Sequence, residues 1–193
     1  MGYVTEQDRN SCSFYMKIGA CRHGDKCSKQ HPIPRYSQTI LCSNMLDVPS
    51  SLNGRQKQER LNNFYEDFFC EAAKFGIIER VVICENICDH LIGNVYAQFR
   101  YEQDAQKCVE NFKNRWYDGR PVRAELCPVS DFREACCRQY DTNECDRGGN
   151  CNFIHARKTD PELVKELDLS QKKYWAANKR QRGEERRDDW RRR

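Results

Sequence analysis

The chain has 193 residues, 38% of them hydrophobic and 32% charged, enough for one ordinary domain plus small modules and not for one large core. Its formal charge is +4 at pH 7, and no apolar run approaches the length that spans a bilayer, which excludes a membrane-spanning reading. The opening MGYVTEQDRN lacks the apolar core of a secretion signal, so the chain is expected to be intracellular, where disulfides are disfavoured and the clustered cysteines among its 13, each cluster followed by a His, read as zinc ligands.

The first element is a metal module. Cys12, Cys21, Cys27 and His31 follow C-x8-C-x5-C-x3-H inside a basic segment, residues 10–36, with 5 Lys and Arg against 1 acid. Three thiolates and one imidazole complete a tetrahedral zinc shell and leave no position open for water, so the spacing predicts a structural metal. A module this short folds on metal binding, on the order of 10–16 kcal/mol, because it has little apolar surface to bury. Zinc-held loops also leave backbone groups near the surface, where they read unstacked bases while aromatic rings stack on base faces. The residues offered for this are Phe14, Tyr15, Lys17, Arg22, His23, Lys26, Ser28, Lys29 and Arg35.

Residues 38–128 form a slightly acidic unit, 11 basic against 13 acidic residues. QTILCSNML (38–46) reads as a strand. Around 60–76, Leu61, Phe64, Tyr65, Phe68, Phe69 and Ala72 recur at helical spacing, stopped by Gly76. Strands follow at 77–84 and 93–99, then a helix from Glu102 to Phe112 with Ala105, Cys108, Val109 and Phe112 on one face. WYDGRPVRAEL (116–126) closes the unit with an Asp118-Gly119 turn and a strand from Val122 to Leu126. The order βαββαβ predicts a ferredoxin-like sheet. The third strand fits the slot of an RNA-recognition-motif signature, yet it places Asn94 where a stacking ring belongs and keeps only Tyr96, and the first strand has no aromatic. Such a sheet is expected to bind RNA poorly. Its other side carries Glu66, Asp67 and Glu71 on the first helix and Arg115-Trp116-Tyr117 on a loop, a pattern that suits a peptide with a Trp and basic residues. The competing reading makes the acids a solvated face and Trp116 a core side chain.

Residues 131–157 repeat the metal pattern. Cys137, Cys145, Cys151 and His155 follow C-x7-C-x5-C-x3-H, and Cys136 competes as first ligand because it would restore the x8 interval. Cys137 is favoured because Gly19 and Asn143 then both lie two residues before the second cysteine, and both tolerate left-handed backbone. Arg133, Arg138, Tyr140, Arg147, Asn152 and Phe153 are the candidate RNA contacts here. Phe14 and Phe153 suit packing and stacking equally, whereas Tyr15 and Tyr140 lean toward packing. Cys42, Cys70, Cys84, Cys88, Cys108 and Cys127 stand singly and read as core or surface thiols. The tail, residues 158–193, starts a helix at Asp160-Pro161 and is expected to fray beyond Gly183. The whole is an α+β chain, a central degenerate RNA-recognition motif flanked by two CCCH fingers and followed by a helix. A nuclease reading finds no carboxylate cluster for catalytic metals and no acid-base partner for His23 or His90.

The complete arrangement, with CSFYMKIGACRHGDKCSKQH (12–31), GNVYAQFR (93–100), NRWYDGRPVRAEL (114–126) and DFREACCRQY (131–140), resembles the small-subunit family of the U2 snRNP auxiliary factor from about Ser11 to about Leu169. The resemblance implies a nuclear, non-catalytic splicing subunit. It implies a heterodimer with a large subunit and recognition of the AG dinucleotide at the 3′ splice site by the two zinc fingers. The central domain resembles the U2AF homology motif, which implies that Arg115, Trp116 and Tyr117 form the loop, and Glu66, Asp67 and Glu71 the acidic helix, of a seat for a Trp-containing peptide. Tyr117 stands where the family usually has Phe, and residues 158–193 contain no arginine-serine-rich segment, so properties of such a segment are not carried over.

Overall fold

The computed structural model describes residues 10–49 and 51–191, with side chains through Asn178. Strands Thr39–Cys42 (β1), Ile78–Ile83 (β2), Val95–Phe99 (β3) and Ala124–Cys127 (β6) form one antiparallel sheet in the order β2-β3-β1-β6. Thr39 pairs with Gln98 on one side and Cys127 on the other, so β1 is central. Helices Gly54–Ala72 (α2) and Glu102–Phe112 (α3) cover one face. The alternation of the strands decides what they meet: Ile40, Cys42, Val95, Ala97, Phe99 and Leu126 enter a core with Phe64, Phe68 and Phe112 from the helices.

Several bounds differ from the sequence reading, each for a local reason. α2 starts at Gly54 because Asn53 and Gln56 close a capping box in a polar stretch without apolar periodicity. β3 starts at Val95 because Gly93 takes φ 65, outside the extended region. Asp118 (φ 49) and Gly119 (φ 72) make the expected turn, but it joins Trp116–Tyr117 (β4) to Arg120–Pro121 (β5) in a separate hairpin, and the sheet strand begins only at Ala124. The last helix, Pro161–Arg191 (α6), is N-capped by Asp160, whose carboxylate accepts from the Glu162 amide at 2.9 Å. It continues past Gly183, where frayed chain was expected, through a stretch rich in the helix formers Glu and Arg. No helix among the described residues is long and apolar enough to cross a membrane.

The second face of the sheet is also covered. All four β1 residues are buried, and Leu41, Val82, Tyr96 and Cys127 pack with Ile18 of the first metal module and, from the second, with Phe132 and Ala135 of the short helix Phe132–Ala135 (α4) and with Ile154. Burying side chains of this size contributes roughly 1.5–3 kcal/mol each. This is the face a recognition motif ordinarily offers to RNA, and both metal modules lie on it.

Candidate functional site

Each metal module is built by the same moves. In the first, Cys12 is N-cap of a short helix, Ser13–Ile18 (α1), which Gly19 ends at φ 70 with its amide on the Tyr15 carbonyl. A Cβ on Gly19 would lie 2.3 Å from Cys127 Sγ, so glycine serves both the turn and the close approach to the sheet. In the second, Cys137 caps Arg138–Asp141 (α5), and Asn143 takes the same left-handed backbone at φ 60. A 3₁₀ turn follows in both, Gly24–Lys26 and Gly148–Asn150, between the second and third cysteines.

The closures match as well. The Cys12 amide donates to Gln30 O at 2.9 Å and the Cys137 amide to Ile154 O at 2.8 Å, in each case joining the first cysteine to the residue before the histidine. Cys136 therefore takes the place of Ser11, in a bridge to Ile154 like that of Ser11 to Gln30. The group that converges is Cys137, Cys145, Cys151 and His155, as Cys12, Cys21, Cys27 and His31 converge in the first module.

The donor sets fit zinc. Ligand atoms within each group lie within 4.8 Å of one another. Tetrahedral zinc with Zn–S of about 2.3 Å requires sulfur–sulfur separations of about 3.8 Å, and Cys12–Cys21 and Cys21–Cys27 lie at 3.7 and 3.8 Å. His31 Nε2 and His155 Nε2 are buried with no hydrogen-bond partner among the described residues, which leaves each lone pair for a metal. Burial opposes ionisation of Cys12, but hydrogen bonds from the Tyr15 backbone, His31 and Cys21 bring its thiol down to about 7. Burial raises the thiols of Cys21 and Cys151, the latter to about 11, so that without metal the thiolate rests on one sulfur of the first group. The chain thus has two closed, structural zinc sites. Outside the two groups, burial pushes the thiols of Cys42 and Cys127 up to about 12, and Cys84 and Cys108 are buried too, while Cys70 is exposed and Cys88 half-buried.

Tyr15 and Tyr140 prove to be supports for the ligands. Tyr15 is buried and stacks on His31 at 4.6 Å, and Tyr140 stacks on His155 at 4.0 Å with its hydroxyl on Glu85. One face of each ring is thereby taken, which tells against base stacking there.

A residue without any motif or spacing to mark it anchors the second finger. Asn86 is 2% exposed; its amide nitrogen donates to Cys151 O and Phe153 O, both at 3.0 Å, and its oxygen accepts from the His155 amide at 2.8 Å. Beside it, Glu85 N donates to His155 O and Arg157 N to Ile83 O, both at 2.8 Å. The ligand loop of this finger is thus laid along the chain leaving β2. The first finger is held by Tyr96, whose buried hydroxyl donates to Ile18 O at 2.7 Å.

Docked on one sheet face, the fingers meet. Phe14 and Phe153 approach to 6.2 Å between ring centroids, Phe14 remaining exposed and Phe153 half-buried. A groove of about 400 Å³ beside them is lined by Lys17 from the first finger and by Arg133, Arg138, Arg147 and Phe153, with Glu134 its only carboxylate. Arg133 is partly neutralised by Asp131 at 2.8 Å, and Arg147 donates to Gln139 at 2.7 Å. Arg22, His23, Lys26, Ser28, Lys29 and Arg35 are exposed on the first finger outside this groove. Asn152 is half-buried, with its Oδ1 buried and unpartnered among the described residues.

On the helical side, a pocket of about 320 Å³ opens between α2, α3 and the hairpin, with Phe68, Phe112 and Val122 among its apolar walls. Asp67, Glu71, Arg115, Trp116 and Tyr117 line it; Glu66 is exposed and does not. Trp116 is 71% exposed, so it is not the core side chain of the competing reading. Tyr117 is the inward ring, edge-on to Phe64 at 5.4 Å with its hydroxyl 3.3 Å from Asp67. Lys74 and Arg115 both pair with Glu71 and hold its carboxyl below the usual range.

The family model for zinc fingers of the C-x8-C-x5-C-x3-H type (and similar) matches residues 7–32 and 131–157. Over 182 residues the chain is 54% identical to the splicing factor U2AF 23 kDa subunit of Schizosaccharomyces pombe, covering 91% of this chain and 84% of that one. It is 48% identical over 179 residues to the splicing factor U2af 38 kDa subunit of Drosophila melanogaster, covering 86% and 68%. It is 47% identical over 177 residues to the splicing factor U2AF 26 kDa subunit of Bos taurus, covering 86% and 80%.

Proposed function

This chain belongs to the U2AF small-subunit family of splicing factors, and from that premise we propose that it acts in the nucleus, its fingers reading the AG of a 3′ splice site in single-stranded RNA. The chain is not an enzyme: its relatives are splicing factors, and both zinc shells are closed. The observation that carries the RNA reading is the groove shared by the fingers, where Lys17, Arg138, Arg147 and Phe153 converge. Cations there suit phosphates, and the exposed Phe14 beside Phe153 offers rings to bases, each stacked base contributing roughly 1–3 kcal/mol. The recognition-motif sheet takes no part, because the fingers bury it.

The central domain, on this reading, receives a Trp-containing peptide of the large subunit in the pocket under Trp116. Its apolar walls suit an indole, and Asp67 and Glu71 at the rim suit basic flanking residues. Titration of the chain, with and without its large-subunit peptide, against short RNAs ending in pyrimidine-AG and pyrimidine-AC tests the first claim. Preference for AG is expected; equal affinity for both ends sinks it and leaves a protein-binding adaptor. For the second, Trp116→Ala is expected to weaken peptide binding by about 2 kcal/mol, as loss of an aromatic anchor does, with zinc content unchanged. Unaltered peptide affinity refutes that role.

A further inference from the structure

A second groove, of about 460 Å³, lies on the other flank of the second finger, where Tyr140 and Asn143 stand against Lys57, Arg157 and Lys158. One short helix borders both grooves: Arg138 and Gln139 of α5 line the one between the fingers, and Tyr140 of α5 lines this one. Three cations here face a single carboxylate, Glu85, which is already engaged by the Tyr140 hydroxyl and by Arg157 at 3.7 Å. Arg157 is largely enclosed, its side chain 19% exposed, and its Nε is buried with no hydrogen-bond partner among the described residues. The walls are fixed to each other, since Gln58 of α2 donates to the Lys158 carbonyl at 3.3 Å. Gly54, the first residue of the 19-residue α2, also lines the groove.

We propose that this groove is a second, sequence-independent seat for single-stranded RNA, holding phosphates of nucleotides that flank those between the fingers. The assignment rests on the RNA reading above. Phosphate oxygens suit the excess of cations that lines the groove, and no base-reading geometry is required.

The test compares a short pyrimidine-AG RNA with the same RNA lengthened at its 5′ or its 3′ end, titrated against the full chain over a range of salt. Each single-strand phosphate contact contributes about 0.7 to the salt slope, so one of the longer RNAs is expected to show a slope steeper by about 2. Lys57→Gln/Arg157→Gln/Lys158→Gln is expected to erase that difference, leaving affinity for the short RNA within about twofold and both zinc ions bound. Because Arg157 is enclosed, Lys57→Gln/Lys158→Gln supplies a milder variant, expected to lower the slope by about 1.4. Equal slopes for short and long RNAs, or variants that bind the long RNA as the wild type does, overturn the proposal. A poly-glutamate peptide that binds the wild type and not the variants, with RNA slopes unchanged, assigns the groove to an acidic partner instead. Failure to bind even the short RNA overturns the underlying RNA reading and this seat with it.

Discussion

Asn86 shows how much one side chain decides in the second zinc site. Its amide satisfies two carbonyls and one amide of the ligand loop, all close to Cys151 and His155. Truncation leaves those groups buried and unpaired, and partners behind metal ligands typically matter by about 10–100-fold in metal affinity. Asn86→Ala is therefore expected to weaken the second zinc site by that order while the first is unchanged, measured by competition with a chromophoric chelator. Equal loss from both sites, or none, contradicts the role. The eight ligands were legible because thiolate and imidazole chemistry fixes their intervals. Asn86 was not, because an isolated asparagine in a loop has no spacing to betray it, and its partners lie more than sixty residues away.

Among the elements, α6 contributes more than its charged sequence suggests. Leu167 is buried in the main core with Leu163 and Val164 packed against it, and Trp175 donates to Ala73 O at 3.1 Å. Gln171 supplies what a neighbouring strand would: it donates to Ile78 O at 2.8 Å and accepts from Ile78 N at 3.0 Å, at the edge of the sheet. Gln171→Ala leaves both backbone groups unpaired, so a loss of about 1–3 kcal/mol is expected in urea unfolding; a loss below about 0.5 kcal/mol would show that α6 is not tied to the strand. Apolar periodicity placed the helices of the central domain, and the Asp160-Pro161 signal placed the start of α6. The capping box of α2 and the length of α6 lie in polar stretches, where periodicity carries no signal.

Taken as a whole, the molecule explains why its recognition motif lacks a stacking platform. Tyr96 kept a ring in the sequence, yet it is fully buried, edge-on to Phe132 at 5.9 Å and bonded to Ile18 O. That docking joins residues far apart in the chain, which no local pattern announces. Because zinc shapes the covers of this face, chelation is expected to uncover Leu41, Val82 and Tyr96. The zinc-free chain should then bind an apolar dye and unfold at lower temperature throughout, central domain included. Unchanged melting of the central domain would mean that it does not depend on the fingers. The most direct measurement is metal content by elemental analysis of the purified native chain and of His155→Ala. Two zinc ions per chain are predicted for the first and one for the second; fewer than two in the native chain contradicts the account.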